Sequence, residues 1–341
     1  MKCISFIAAL ALLVTGTQSC TVRIDKNKAL EMVRLFNERT IKASGVMASK
    51  EIKTENCHRL TVSDGIDVEY LQDGKNFVTV NASDNILPYI DVTENDGELT
   101  IVVKDSASYS RIWNVDAKVT VHGSVLGSLD LKGSGDFTCR ELSMPDDLVT
   151  IAITGSGTAE FGKILTSEFS IDISGSGSMD CEEIKTGRVD GLVRGSGDVD
   201  FGKVNADVLT ASVRGSGDMD FDNVNVNSVE AYITGSGDIS LVGKTGKATY
   251  MVVGSGDIDA AKMKCGAEPD ITVTGSGSVS YQTADGKIKS KYSGSRFCGL
   301  EQHIFFISVF LVFVLADRIT FPSAKTLSLC QMVEKIYIMV D

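Results

Sequence analysis

The fold class that this sequence predicts is all-β: a single-stranded parallel β-helix with about 20 residues per coil. Three observations predict it. First, the tripeptide Gly-Ser-Gly occurs eight times, beginning at Gly133, Gly155, Gly175, Gly195, Gly215, Gly235, Gly254 and Gly275. The steps are 22, 20, 20, 20, 20, 19 and 21 residues. A period that regular marks one structural unit stacked on copies of itself. Second, alignment on the glycines gives apolar residues at alternate positions, the signature of strands with one buried face. Third, no segment of the repeat carries a helical period, and a propeller blade needs roughly 40 residues, twice what is available. Handedness is not written in the repeat, but connections between parallel strands of one sheet are nearly always right-handed, so a right-handed coil is expected.

The apolar columns define the expected interior. Leu131, Ile153, Ile173, Val193, Val213, Ile233, Val252 and Val273 stand two residues before the first glycine. Leu129, Ile151, Ile171, Gly191, Ala211, Ala231, Tyr250 and Ile271 stand four before it, and Val149, Phe169, Val189, Leu209 and Val229 six before it. After the glycines come Phe137, Ala159, Met179, Val199, Met219, Ile239, Ile258 and Val279, then Cys139, Phe161, Cys181, Phe201, Phe221, Leu241, Ala260 and Tyr281. Leu142, Ile164, Ile184, Val204, Val224 and Met263 make a further column. Glycine marks the place where the coil turns sharply or where backbones approach closely. The serine between the glycines is expected to bond local backbone.

From the N-terminus, residues 1–20 have the layout of a secretory signal: Lys2, an apolar run from Ile4 to Val14, and small residues at the exit. The ending Thr17-Gln18-Ser19-Cys20 resembles a bacterial lipoprotein signal, which makes Cys20 the expected lipidation site and a lipid the expected link to a membrane. Plain secretion is the alternative. Residues 21–49 read as a tether or a short helix. Strand signals begin at Ile52 and continue as Arg59–Val62, Ile66–Leu71, Phe77–Asn81, Leu87–Val92, Glu98–Val103 and Ala117–Val121. Ser63-Asp64-Gly65, Gln72-Asp73-Gly74 and Asn95-Asp96-Gly97 punctuate them as turns. Residues 50–128 are thus expected to form irregular leading coils or a capping sheet, and residues 129–292 the regular rungs.

Residues 293–341 depart from the pattern. A ninth Gly-Ser-Gly is due at Gly294, yet the chain reads Gly294-Ser295-Arg296, and glycine nearly vanishes thereafter. The apolar run Ile304–Ala316 is shorter than the ~17–25 residues of a spanning helix. A frame change is one account of this tail, and a hydrophobic cap over the last rung, whose edge would otherwise be open, is the other. Sequencing the locus separates them.

The run beginning Leu60-Thr61-Val62-Ser63-Asp64-Gly65, the segments Asn85–Ile90 and Asp96–Ile101, and the Gly-Ser-Gly-Asp ladder together resemble the family described as putative auto-transporter adhesin, head GIN domain. The likeness runs from about Lys50 to Tyr292. It implies a bacterial surface or secreted β-helix of adhesin type, and it brings no catalytic or ligand-binding residue with it.

Charge and cysteines narrow the function further. A net charge of −12 excludes a nucleic-acid binder, which needs a basic stripe, and fits an extracytoplasmic surface protein: an outer-membrane lipoprotein, or a periplasmic or secreted one. Cys139 and Cys181 share an inward column two rungs apart, about 10 Å by strand spacing, too far for a disulfide. They read as small buried hydrophobes. Cys57, Cys265, Cys298 and Cys330 show no metal-site spacing.

Outward aspartates follow the glycines. Asp198 and Asp200, with Asp218 and Asp220, flank an inward residue on adjacent rungs, so their carboxylates stack about 4.8 Å apart. Calcium binding by this set is one reading, and solvated turn carboxylates are the other. Parallel β-helices also carry polysaccharide lyases and hydrolases, but a catalytic pair should break the repeat locally, whereas these carboxylates recur with it. Of the three histidines, His58 and His122 lie in the leading region and His303 in the tail. Trp113, with Tyr109 before it, falls between the leading strands and the ladder and is the expected ligand contact. The reading is a non-enzymatic, adhesin-like envelope module with a glycan or protein as surface ligand. A structural envelope lipoprotein and a carbohydrate-active enzyme are the alternatives.

Overall fold

Alternation of apolar and polar residues becomes strand almost everywhere in the computed structural model, which describes residues 40–104, 111–113 and 117–293. The chain divides into two units, Met1–Lys291 and Tyr292–Asp341; only Tyr292 and Ser293 of the second are described. The expected signal segment and tail, with Cys20, therefore lie outside the described residues. The leading strands are β1 (Thr40–Lys42), β2 (Met47–Lys53), β3 (Arg59–Val62), β4 (Asp67–Gln72), β5 (Phe77–Ser83), β6 (Ile90–Asn95), β7 (Glu98–Val103), β8 (Arg111–Trp113) and β9 (Ala117–Gly123). The ladder begins with β10 (Ser128–Gly133), β11 (Phe137–Gly155), β12 (Thr158–Gly175), β13 (Ser178–Lys185), β14 (Arg188–Gly195), β15 (Asp198–Asn205) and β16 (Val208–Gly215). It ends with β17 (Met219–Gly235), β18 (Ile239–Gly254), β19 (Asp257–Cys265), β20 (Asp270–Gly275), β21 (Ser278–Gln282) and β22 (Ile288–Tyr292).

The ladder strands pair in parallel, each with the residue one repeat further on: Gly155 with Gly175, Gly175 with Gly195, Gly195 with Gly215. This is the parallel β-solenoid that the repeat predicts. Every expected inward column lies inside; Val273 and Tyr281, in the last rung, are only partly buried. A further inward column, not evident from the sequence, holds Met144, Thr166, Val226, Thr245 and Cys265. Its threonines are satisfied locally: Thr166 Oγ1 donates to the Glu168 carbonyl at 3.0 Å and Thr245 Oγ1 to that of Lys247 at 2.7 Å. That bond allows a polar residue inside an apolar stack. Aromatic rings stack up the interior, with Phe201 and Phe221 centroids 5.6 Å apart. Cys139 and Cys181 sit in one column with Phe161 between them, both thiols free and pushed up to about 12 chiefly by burial.

The Gly-Ser-Gly corner shows why both glycines are needed. Gly215 has φ +148, and a Cβ there would lie 2.2 Å from the Gly195 carbonyl oxygen. A Cβ on Gly217 would lie 2.0 Å from the Gly197 oxygen. The serine acts through its backbone: Ser216 N–H donates to Gly195 O at 2.8 Å, and the corner serine hydroxyls have no hydrogen-bond partner among the described residues. The side-chain role expected for serine is corrected accordingly, because the corner amide points along the stack and meets the preceding rung.

The leading strands do not stack in chain order. β10 pairs with β3 and β11 with β4, while β3 pairs with β7 and β4 with β9, all in parallel. The rung β3–β4 therefore lies between the rung β7–β9 and the first ladder rung, although it precedes both in sequence. Ser63-Asp64-Gly65 is a rung corner: Asp64 has φ +68, and the Gly133 Cβ position lies 2.3 Å from its carbonyl oxygen. Beyond β7 and β9 the direction reverses, with β6 antiparallel to β7, β5 antiparallel to β9, and β2 antiparallel to β5. β1 and β8 make a separate parallel pair. Two expectations change here. Strand structure starts at Thr40 and Met47, inside the span read as tether, because β8 and β5 supply partners distant in sequence. Leu87–Tyr89 is a 3-10 turn with Pro88 in its first turn rather than the start of a strand, since proline lacks the ladder donor.

Candidate functional site

Two outward columns run up the face that follows the Gly-Ser-Gly corners. In the first, each aspartate accepts the amide of the next rung. Asp198 accepts from Asp218 N–H at 3.1 Å, Asp218 from Asp238 N–H at 2.8 Å, and Asp238 from Asp257 N–H at 2.7 Å. Asp257 accepts both the amide and the hydroxyl of Ser278 at 2.7 Å. Asp136 does the same for Thr158 N–H, and Asp67 for Asp136 N–H, each at 3.0 Å. These carboxylates staple rung to rung and satisfy corner amides that strand pairing leaves over.

The second column brings Glu160, Asp180, Asp200 and Asp220 into consecutive register. The first three edge an open groove of about 860 Å³, lined also by Glu69, Tyr70, Arg140 and Glu182. Gly162 and Gly202 alternate with Glu182 beside the column and leave its middle uncovered. Their lack of a side chain is enforced by the backbone, because a Cβ on Gly162 would meet the Arg140 carbonyl oxygen at 2.4 Å. One end carries cations: Arg140, and Lys118, which pairs with Glu69 at 3.0 Å. Partial burial, followed by the charge of Asp200, raises the Asp180 and Asp220 carboxyls above the ordinary range.

The candidate calcium ligands thus separate. Asp198 and Asp218 belong to the stapling column, and Asp200 and Asp220 to the second column, of which Asp200 lines the groove. No group of three or more His, Cys, Asp or Glu side chains is placed to hold a metal ion among the described residues. Trp113 lies in β8 with its backbone paired to Lys42; its side chain, and all of Tyr109, lie outside the described residues. His122 Nδ1 meets Asp73 Oδ2 at 2.8 Å and its ring stacks on Phe77 at 3.9 Å. That hydrogen bond, with Lys75 beside it, holds Asp73 down at about 2. The sequence reading missed Glu69, Tyr70 and Lys118, because β4 and β9 reach the groove only through out-of-order stacking, and it missed Arg140, which lies in the ladder strand β11. Gly162 and Gly202, glycines outside the tripeptide, were the one signal of it in the sequence.

A parallel solenoid with a repeat-built polar groove defines the class of stacked β-repeat proteins. Within that class, the family model described as "Putative auto-transporter adhesin, head GIN domain" matches residues 56–222 and 202–295. The chain belongs to that family. Among solved structures it is similar to a "putative lipid binding protein" from Parabacteroides distasonis, with TM-score 0.62 and 24% identity over 70% of this chain and 98% of the other. It is also similar to a "putative adhesin" from Parabacteroides merdae, with TM-score 0.61 and 21% identity over 71% and 98%. A third, a "putative adhesin" from Bacteroides fragilis, gives TM-score 0.55 and 20% identity over 70% and 98%. These likenesses show the fold. Comparison with curated proteins finds no match. No helix among the described residues is long and apolar enough to cross a membrane.

Proposed function

We propose that this chain is a non-enzymatic, adhesin-like binding module of a bacterial cell envelope, held outside the cytoplasm through a lipid on Cys20 or released by secretion. One observation carries the reading: Glu160, Asp180 and Asp200 line an open groove in strict register with the repeat, and Asp220 continues their column on the next rung. A surface built by repetition presents many equivalent contacts to an extended glycan or protein. It offers no single place where a reaction would be favoured. Family membership supports a surface role, and the similar solved structures are described as adhesins or as a lipid-binding protein rather than as enzymes. The carboxylates are taken to be solvated, without calcium.

The test is a glycan and matrix-protein array probed with the full chain and with the triple variant Asp180→Asn/Asp200→Asn/Asp220→Asn. Binders that the variant loses identify the groove as the contact. An array on which the two proteins behave alike, or any cleavage of a spotted polysaccharide, overturns the reading.

A further inference from the structure

The face that precedes the Gly-Ser-Gly corners carries exposed arginines among its carboxylates. Its outward columns bring Arg194 into register with Arg214, both exposed and on adjacent strands about 4.8 Å apart. Arg194 is held by Asp172, one rung before it, and bonds Ser174 Oγ at 3.2 Å. Arg214 has no hydrogen-bond or ion-pair partner among the described residues. The neighbouring carboxylates are already engaged: Asp190 by Arg188 through two bonds of 2.5 and 2.9 Å, and Glu230 by the Tyr232 hydroxyl at 2.9 Å. Two guanidinium groups thus stand side by side, and the carboxylate that holds Arg194 lies on the rung before it, on the side away from Arg214, in a chain whose net charge is −12.

The flanks are apolar. Leu192 and Tyr232 are half-buried, and Met251 and Val253 are 36% and 40% exposed. Register places Leu192, Ser212, Tyr232 and Met251 in one column and Arg194, Arg214, Thr234 and Val253 in the next. Arginine, tyrosine and methionine are the side chains enriched at recognition surfaces. Guanidinium is the group best shaped to take carboxylate or sulfate through paired bonds.

We infer that this face is a second binding surface, distinct from the acidic groove, whose ligand is an acidic polysaccharide bearing carboxylate or sulfate groups. A ladder of strands meets a ligand with one side chain per rung, so a linear polymer with a charge on each repeating unit offers successive anions to Arg194 and Arg214. The Tyr232 ring beside them provides an apolar face for the C–H surface of a sugar. Charge complementarity is local here. The rest of the chain repels a polyanion, so retention of one reports on this patch rather than on general stickiness.

The experiment measures binding of the full chain to polygalacturonate, dextran sulfate, plain dextran and phosphatidylglycerol vesicles, with three proteins: wild type, Arg214→Ser and Arg194→Ser/Arg214→Ser. Arg214→Ser removes a partnerless exposed side chain and keeps the Arg194–Asp172 pair, so it leaves the fold intact whatever the double variant does. The expected result is binding to one or both polyanions and none to plain dextran. The single variant should weaken it by about tenfold, as loss of a charge-assisted contact does, and the double variant should weaken it further. Circular dichroism should stay unchanged in the single variant. Absence of binding to both polyanions, equal binding to plain dextran, binding to vesicles alone, or indifference to Arg214→Ser each overturns the inference. The triple asparagine variant of the groove should keep its polyanion binding, which separates this surface from the one proposed above.

Discussion

The ladder and the leading cap of this chain reach the same kind of interior by different routes. In the ladder, each residue pairs with one about 20 positions away, and each rung repeats its neighbour's solution. In the cap, Thr138 pairs with Glu69, Val78 with Val121 and Ile52 with Val78, but Asn95 with Glu98, so separations among these pairs run from 3 to 69 residues and directions mix. The difference teaches how a parallel stack is closed. A rung presents unpaired amides and carbonyls to whatever comes next, an invitation to further pairing. Here β6, β5 and β2 turn antiparallel at that end.

If the ladder depends on close backbone approach and the cap on individual side chains, glycine replacements should separate them most strongly. Gly217→Ala places a methyl 2.0 Å from the Gly197 oxygen, so backbone must move; the expected cost is above about 4 kcal/mol, read as collapse of the thermal transition. Gly45→Ala meets nothing within 4 Å and pays only for φ +79, about 1 kcal/mol. Equal effects of the two would show that the corner tolerates a side chain after all.

Core truncation comes next. Phe201 is fully buried between Phe169 and Phe221, so Phe201→Ala should cost about 3–5 kcal/mol in urea unfolding. Phe77 in the cap is half-buried and touches the His122 ring, and Phe77→Ala should cost clearly less. In the stapling column, Asp218→Ala removes the acceptor of Asp238 N–H and should cost about 1 kcal/mol.

Acidity should act on the two regions with opposite sign. Asp180 and Asp220 have folded carboxyl pKa values above the unfolded value, so the folded state binds protons more tightly and the ladder gains stability as pH falls through that raised range. Their asparagine variants should therefore be slightly more stable than wild type at neutral pH, with the gap closing in acid. Asp73 is held at about 2, below its unfolded value, so its contribution is present above the ordinary carboxylate range and lost as pH falls toward 2. Asp73→Asn should be less stable near neutrality and equal to wild type at the acid end. Because the group is partly solvated, less than about 1 kcal/mol is at stake. The smallest effect is expected from calcium: melting temperatures with the ion and with chelator should coincide, and a rise with calcium would return the aspartate columns to the status of a metal site.

How far the sequence could be read follows the same division. The interior columns, the role of the glycines as corners and the separation of Cys139 from Cys181 were legible because each depends on residues one repeat apart. The column of Thr166, Thr245 and Cys265 was not, because its polar side chains are satisfied by carbonyls two positions away, after the threonines and before the cysteine, a detail that apolar patterning does not register. The outward carboxylates were legible as a stack. Their division into staples and groove edge was not, since both columns alternate identically along the strand.

By itself, then, the sequence determined the period, the interior and the parallel stacking of this protein, because a repeat writes every neighbour's identity at a fixed offset. Only the tertiary structure decided that β3 and β4 slip between later strands, that Glu69, Tyr70 and Lys118 thereby reach the acidic groove, and that Asp172 holds Arg194 while Arg214 beside it stands without a partner among the described residues. Strand order away from the repeat is set by which edges find hydrogen-bond partners, and no local pattern of residues encodes that choice.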